Sequence, residues 1–127
     1  MSKTRVKPYP KHLRRLMTEK TKNLTQARTC SDLGMEELAV HLWNSAAGHE
    51  ERIAPMLETL DRHLEAALHR VSAANCYQKG GDLSRAANLY RAALAGPLSE
   101  QTRQDVQGML AACLRQLARS SVTAALS

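Results

Sequence analysis

Residues 73–94 read AANCYQKGGDLSRAANLYRAAL, two helix-forming segments on either side of a glycine pair. Ala and Leu lose little side-chain entropy in a helix, and Gly81 allows the positive φ of a tight helix exit. The small residues Ala74 and Ala86 let two helices approach closely, and the larger Tyr90 fills the wedge beside them. The stretch therefore predicts a helical hairpin that turns at the glycine pair.

A second stretch, residues 27–46, repeats this pattern as ARTCSDLGMEELAVHLWNSA. Small, aromatic and glycine positions recur at the same spacing in both stretches, except that Cys30 stands where the first stretch has the aromatic Tyr77. The equivalent pairs are Ala27 and Ala74, Cys30 and Tyr77, Gly34 and Gly81, Ala39 and Ala86, Trp43 and Tyr90, and Ala46 and Ala93. Gly34 is thus predicted to end the first helix as Gly81 ends the third.

The two stretches together resemble the tetratricopeptide repeat (TPR), in which small, aromatic and turn-glycine positions follow one another in this order. The resemblance covers residues 20–96. Gly34 and Gly81 lie 47 residues apart, whereas the family repeats every 34 or so, so the third helix is expected to be elongated. The alternative is a generic antiparallel helical domain in which these positions match by chance.

Hydrophobic periodicity and the glycine and proline positions predict five helices. The expected limits are Lys11 to Leu33 for the first helix and Met35 to Ala47 for the second. The third is expected to start between Glu51 and Ala54 and to end at Lys79, and the last two to span Leu83 to Ala95 and Ser99 to Ser120. Gly48 is expected to end the second helix, and Pro55 to lie in the first turn of the third. Short connections force antiparallel neighbours, so the predicted class is all-α: stacked helical hairpins with a C-terminal capping helix.

The expected domain organisation is a flexible basic arm (1–10), one TPR-like helical domain (11–120) and a frayed tail (121–127). The composition supports a helical domain, because 19 Ala and 18 Leu stand against six Ile and Val together and no Phe. Strands favour β-branched and aromatic side chains. All-β and doubly wound α/β folds are therefore excluded.

The positive charge is concentrated at one end of the chain. Residues 1–28 carry nine Lys and Arg and one acid, Glu19, whereas the other 99 residues carry nine basic and eleven acidic groups. This asymmetry favours an anionic partner for the basic end, or else a solvated arm. The nucleic-acid-binding residues expected in an accessory protein of that kind are Lys3, Arg5, Lys7, Lys11, Arg14 and Arg15.

The resemblance to the tetratricopeptide repeat implies a different function, a non-catalytic adaptor that binds a partner protein. Its ligand, a peptide or helix, would lie on the concave face formed by the first helix of each hairpin. The partner-binding residues that it implies are Arg28, Asn75, Gln78 and Lys79, and the Asn75 position is a frequent contact to the ligand backbone. Arg28 and Lys79 would give the face a positive bias, so an acidic or amphipathic peptide is expected.

The predicted third helix carries apolar residues at a regular spacing of 3.5 residues, from Ile53 and Leu57 through Leu60 and Leu64 to Ala74. Such a repeat is typical of helices that pair with another helix. A homodimer through helix packing is therefore a further expectation.

Motifs for chemistry are missing from the sequence. His49-Glu50-Glu51 lacks the second histidine of a zinc-protease motif, and Glu58–Arg62 and Glu65–His69 are expected to be surface ion pairs. Neither an enzyme nor a cofactor or metal site is predicted. The three cysteines, Cys30, Cys76 and Cys113, are expected to be buried, reduced thiols, which fits a cytoplasmic protein without a membrane span.

Overall fold

The computed structural model describes residues 8–127 and contains five α-helices within them. They are α1 (Lys11–Asp32), α2 (Glu36–Thr59), α3 (His63–Lys79), α4 (Leu83–Leu94) and α5 (Glu100–Leu126). Each helix packs against its neighbours in the chain, so that two hairpins stack and α5 lies against α4. The described residues form no strand, and the all-α prediction is confirmed.

Three of the four connections end a helix in the same way. Each contains one residue with positive φ: Gly34 at 76°, Asp61 at 62° and Gly81 at 88°. The amide of the following residue then donates to a carbonyl five positions earlier, from Met35 to Cys30 at 2.8 Å, from Arg62 to Leu57 at 2.9 Å and from Asp82 to Tyr77 at 2.9 Å. This arrangement satisfies carbonyls that the helix end leaves free. The roles predicted for Gly34 and Gly81 are confirmed.

The second helix is longer than predicted, because α2 continues through Gly48 and Pro55 to Thr59. The predicted helix end at Gly48 and the predicted helix start at residues 51–54 are wrong. A glycine inside a helix costs about 1 kcal/mol, whereas burying an Ile or Leu side chain contributes roughly 1.5–3 kcal/mol. A proline inside a helix costs about 3 kcal/mol more. Ile53, Ala54 and Leu57 are all fully buried, and their combined burial offsets the cost of the glycine and the proline.

The longest helix is therefore α5, with 27 residues, and α3 has only 17. The 3.5-residue repeat is divided by the turn at Asp61, since Ile53 and Leu57 lie on α2 and Leu64 lies on α3. Leu64 is 48% exposed. Because the repeat does not form one continuous helical face, the homodimer prediction loses the pattern on which it rested.

The fourth connection, residues 95–99, is built around Gly96 and Pro97. The guanidinium of Arg103 donates to the carbonyl oxygens of Leu94 at 2.5 Å and Gly96 at 3.1 Å. These carbonyls lie at the C-terminal end of α4, where a cation also interacts favourably with the helix dipole. One side chain of α5 thus fixes the last helix against the hairpin before it.

The core consists of two clusters of buried side chains. The larger one spans all five helices around Trp43, Tyr77 and Tyr90, and the smaller one joins the first half of α1 to the second half of α2 through Leu13 and Ile53. Apart from the two turn glycines, all residues of the repeated pattern are buried: Ala27, Cys30, Ala39, Trp43, Ala46, Ala74, Tyr77, Ala86, Tyr90 and Ala93. The predicted equivalence of the two hairpins therefore extends to their packing.

The two ends of the described chain differ from expectation. Tyr9, placed in the flexible arm by the sequence, donates a hydrogen bond to Glu65, and the Arg62 guanidinium carbon lies 4.4 Å from the centre of its ring. The rest of the predicted arm, residues 1–7, lies outside the described residues. At the other end, helix α5 includes most of the predicted tail, and residues 118–127 are exposed.

Within residues 8–127, no helix combines the length and the hydrophobicity that a membrane-spanning segment needs.

Candidate interaction groove

A groove of about 360 Å³ lies where the C-terminal ends of α1 and α3 meet the first turns of α2. We call it the Trp43 groove; its lining residues are Arg28, Ser31, Asp32, Glu36, Trp43 and Lys79. The ammonium nitrogen of Lys79 lies 4.5 Å from the centre of the Trp43 ring. An apolar ring covered by a cation therefore forms one wall of the groove.

The charges of the Trp43 groove are balanced. Arg28 and Lys79 share this groove, as the equivalence of the hairpins predicts, but Asp32 and Glu36 line it as well. The predicted positive bias is therefore wrong for this groove, which has two cationic and two anionic side chains. The two acids escaped the sequence analysis because they belong to the helix end and the helix start beside Gly34, outside the inward positions that the resemblance implies.

A second depression, of about 430 Å³, is lined by Asn75, Gln78, Lys79 and Gln116. Lys79 borders both cavities, so the four partner-binding residues predicted from the sequence line one continuous surface. Gln116 of α5, which the sequence analysis did not single out, completes it. Its side-chain oxygen accepts a hydrogen bond from the Gln78 amide nitrogen at 3.0 Å.

Asn75 and Gln78 are also engaged inside the molecule. The hydroxyl of Tyr90 lies 2.6 Å from Asn75 Oδ1 and 2.8 Å from Gln78 Oε1. A tyrosine hydroxyl has one proton, so it donates to only one amide oxygen at a time, and an amide turned over can donate to it instead. A ligand that binds Asn75 must therefore use the amide atom facing away from Tyr90. The hydrogen bond to Tyr90 was not predicted from the sequence.

A charged cluster around a buried glutamate joins α1, α2 and α3, and it was not predicted from the sequence. Glu50 is 1% exposed. Its Oε1 atom lies 2.6 Å from His69 Nδ1 and 3.9 Å from Lys20 Nζ, which joins α2 to α3 and α1. The sequence did contain a signal for the burial of Glu50. This residue lies four residues after Ala46 and three before Ile53, and therefore on the apolar face of α2.

The surface ion pairs predicted on the third helix are replaced by others. Glu58 binds Arg70, with 2.7 Å between Oε1 and a guanidinium nitrogen, and this pairing lowers the pKa of Glu58. Glu65 accepts from Tyr9 and faces Arg62 at 3.6 Å. The turn at Asp61 ends α2 between Glu58 and Arg62, so one continuous helix does not hold that pair. The predicted pair Glu65–His69 is wrong, because the His69 ring lies against Glu50 while Glu65 lies against Tyr9 and Arg62.

The buried thiols belong to the core. Cys30, Cys76 and Cys113 are free and buried. Burial raises the pKa of Cys76 to about 11, so this thiol is protonated at neutral pH and a weak nucleophile. Among residues 8–127, no three His, Cys, Asp or Glu side chains are grouped closely enough to hold a metal ion.

The basic residues predicted to bind nucleic acid fall into two groups. Lys3, Arg5 and Lys7 lie outside the described residues. Lys11, Arg14 and Arg15 are exposed on α1, away from the Trp43 groove. The two functions predicted from the sequence therefore concern separate surfaces of the domain.

The chain matches no protein-family model, no curated protein and no solved structure. The tetratricopeptide resemblance thus stays a prediction that rests on the repeated residues of the two hairpins.

Proposed function

We propose that the protein is a non-catalytic adaptor that binds a short peptide or helix of a partner protein in the Trp43 groove. The observation that carries the proposal is the position of Lys79 over Trp43, beside Arg28 and continuous with Asn75 and Gln78. Large aromatic side chains and arginine are the residues that contribute most to binding at protein interfaces. The groove combines both with hydrogen-bonding amides.

The contact between Lys79 and Trp43 suggests how a ligand is recognised. Trp43 is only 6% exposed, but the ammonium of Lys79 over its ring lies at an exposed position. A cation–ring contact at such a position is worth about 0.5–1 kcal/mol, whereas a hydrogen bond to a charged group is worth about 1.5–3 kcal/mol. An acidic ligand side chain that pairs with Lys79 therefore draws the ammonium away from the ring. The part of the Trp43 ring that Lys79 had covered then contacts an apolar side chain next to that acid.

The acids of the groove restrict the charge of the ligand. Asp32 and Glu36 repel a ligand that is acidic throughout its length, because like charges brought together at an interface cost several kcal/mol. We therefore expect an amphipathic segment with a single acidic residue beside apolar ones, rather than a polyacidic tail.

Tryptophan fluorescence tests this proposal, because Trp43 is the only tryptophan of the chain. The probe is a synthetic amphipathic peptide with one glutamate beside leucines, compared with the same peptide carrying lysine in place of the glutamate. The first peptide is expected to shift the emission of Trp43 and to bind at least about tenfold more tightly than the second.

Lys79→Met removes the charge and keeps most of the side-chain length, so it is expected to abolish the preference for the glutamate peptide. Lys22→Met is the matched control, since Lys22 is an exposed lysine on α1 that does not line the groove. Equal affinity of the two peptides for the unaltered protein, or a Lys79→Met variant that still prefers glutamate, would contradict the proposal.

A further inference from the structure

We propose that the outer face of α1 binds the phosphate backbone of a nucleic acid, independently of the Trp43 groove. Four cations form what we call the basic stripe: Lys11, Arg14, Arg15 and Lys22. At 3.6 residues per turn, they lie within about 100° of the helix circumference and extend over about 17 Å of its length. The opposite side of α1 carries Leu13 and Leu16, which are buried in the smaller core cluster.

The charges of the basic stripe are available to a ligand. All four side chains are exposed, and none lies within ion-pair distance of an acid among residues 8–127. Lys20 differs, because it turns inward to Glu50. The cations of the stripe therefore act together on the solvent side of α1, where their summed field attracts polyanions.

The threonines between these cations do not compete for the ligand. The hydroxyls of Thr18 and Thr21 donate to backbone carbonyls four residues earlier, both at 3.0 Å. Their protons are used within the helix, so the ammonium and guanidinium groups must supply the contacts. Contacts of this kind to phosphates position a protein on nucleic acid without reading its sequence.

An anionic membrane fits the stripe less well. A helix that lies on a membrane buries an apolar face at the boundary of the acyl chains. The buried faces of Leu13 and Leu16, at 0% and 5% exposure, are used by the core instead. Helix α1 also contains no Phe, Tyr or Trp to stack on bases. The phosphate backbone of the nucleic acid is therefore the group that the stripe fits.

Salt dependence provides the test. The full chain is titrated into a fluorescently labelled duplex of random sequence, as DNA and as RNA, at several salt concentrations. Neutralising Z phosphates gives a slope of about −0.9Z in the logarithmic plot of affinity against salt. The double substitution Arg14→Gln and Arg15→Gln is expected to make that slope shallower by about 1.8 and to weaken binding.

The matched control is the pair Arg115→Gln and Arg119→Gln, which removes the same charge from exposed positions on α5. It is expected to keep the slope and to leave affinity nearly unchanged. Lys79→Met is also expected to bind the duplex normally, which separates this proposal from the groove. Circular dichroism checks that each variant is folded.

Three results would overturn the proposal. One is that the double variant of Arg14 and Arg15 and the double variant of Arg115 and Arg119 lose the same affinity. The loss would then follow from the change in net charge alone. Another is tighter binding to phosphatidylserine vesicles than to either duplex at equal salt, which would indicate a membrane surface. The third is the absence of binding to both duplexes at low salt.

Discussion

At the scale of single residues, Glu50 is the most unusual feature of the molecule. It stands on the apolar face of α2, yet it is a carboxylate with two basic partners, His69 and Lys20. A buried ion pair repays the cost of removing its charges from water only while the set of partners is complete. Periodicity places Glu50 on the apolar face of α2, but it could not predict the cluster, because the partners of Glu50 come from two other helices.

We expect Glu50→Gln to lower the free energy of unfolding by about 1–3 kcal/mol, because it leaves His69 and Lys20 facing a neutral amide. Urea unfolding followed by circular dichroism measures this change. Glu19→Gln, an exposed site on α1, is the control and should stay within about 0.5 kcal/mol of the unaltered protein. A Glu50→Gln variant as stable as that control would show that the buried cluster contributes nothing.

At the scale of helices and turns, glycine has two different roles in this chain. Gly81 has φ +88° at the end of α3, where side chains rarely fit. Gly48 lies inside α2, and an added methyl group there would meet no atom within 4 Å. The same substitution is therefore expected to have opposite effects at the two positions.

Gly48→Ala should stabilise the protein by about 1 kcal/mol, the difference in helix propensity between the two residues. Gly81→Ala should destabilise it by about 1–2 kcal/mol, since alanine in a left-handed conformation is strained. Thermal and urea unfolding of both variants measure these changes. Destabilisation by Gly48→Ala would contradict an uninterrupted α2.

These turns also show how far the sequence predicts the fold. The turn between α3 and α4 lies where the sequence predicts it, between Lys79 and Leu83, because Gly81 supplies both the break and the left-handed conformation. Asp61 adopts that conformation without being glycine, so the real end of α2 had no compositional signal. Gly48 and Pro55 falsely indicated a helix boundary, and the combined burial of Ile53, Ala54 and Leu57 overrides them.

The lining residues of the candidate groove were predicted only in part. Equivalence of the two hairpins places Arg28 and Lys79 on one surface, and the structure shows them lining one groove. The stacking of Lys79 on Trp43 and the hydrogen bond of Asn75 to Tyr90 depend on side-chain positions across different helices. Spacing along the chain contains no information about such contacts.

At the scale of the whole molecule, four buried cysteine thiols and tyrosine hydroxyls have their pKa values raised. Burial raises the pKa of Cys76 from its usual 9.0 to about 11 and that of Tyr90 from 10.0 to about 12. Burial also raises the pKa of Tyr77 and Cys113. All of these groups lose a proton more readily in the unfolded chain than in the folded one.

The protein should therefore become less stable in alkali. Cys76 and Tyr90 contribute fully to the free energy of unfolding below about pH 9. This contribution is lost as the pH rises through the pKa values that the two groups have in the folded state. Between about pH 8 and 10.5, we expect the free energy of unfolding to fall by about 2–3 kcal/mol. Urea unfolding across this range measures the loss.

Cys76→Ala is the control for the alkaline transition, and its stability should fall less steeply with pH because one titrating group is gone. A free energy of unfolding that stays constant up to about pH 10.5 would show that neither side chain keeps its proton preferentially in the folded state.

The packing of each helix on its neighbours in the chain also determines how the molecule forms. Contacts between residues close in sequence need little loop closure, so chains of this kind fold on the order of microseconds to milliseconds. A stack of neighbouring helices can also unfold partially from its end, since the unfolding of one terminal helix leaves the other helix–helix interfaces in place. In hydrogen exchange, amides of the last turns of α5 should open far more often than those of α2 and α3, which pack on both sides.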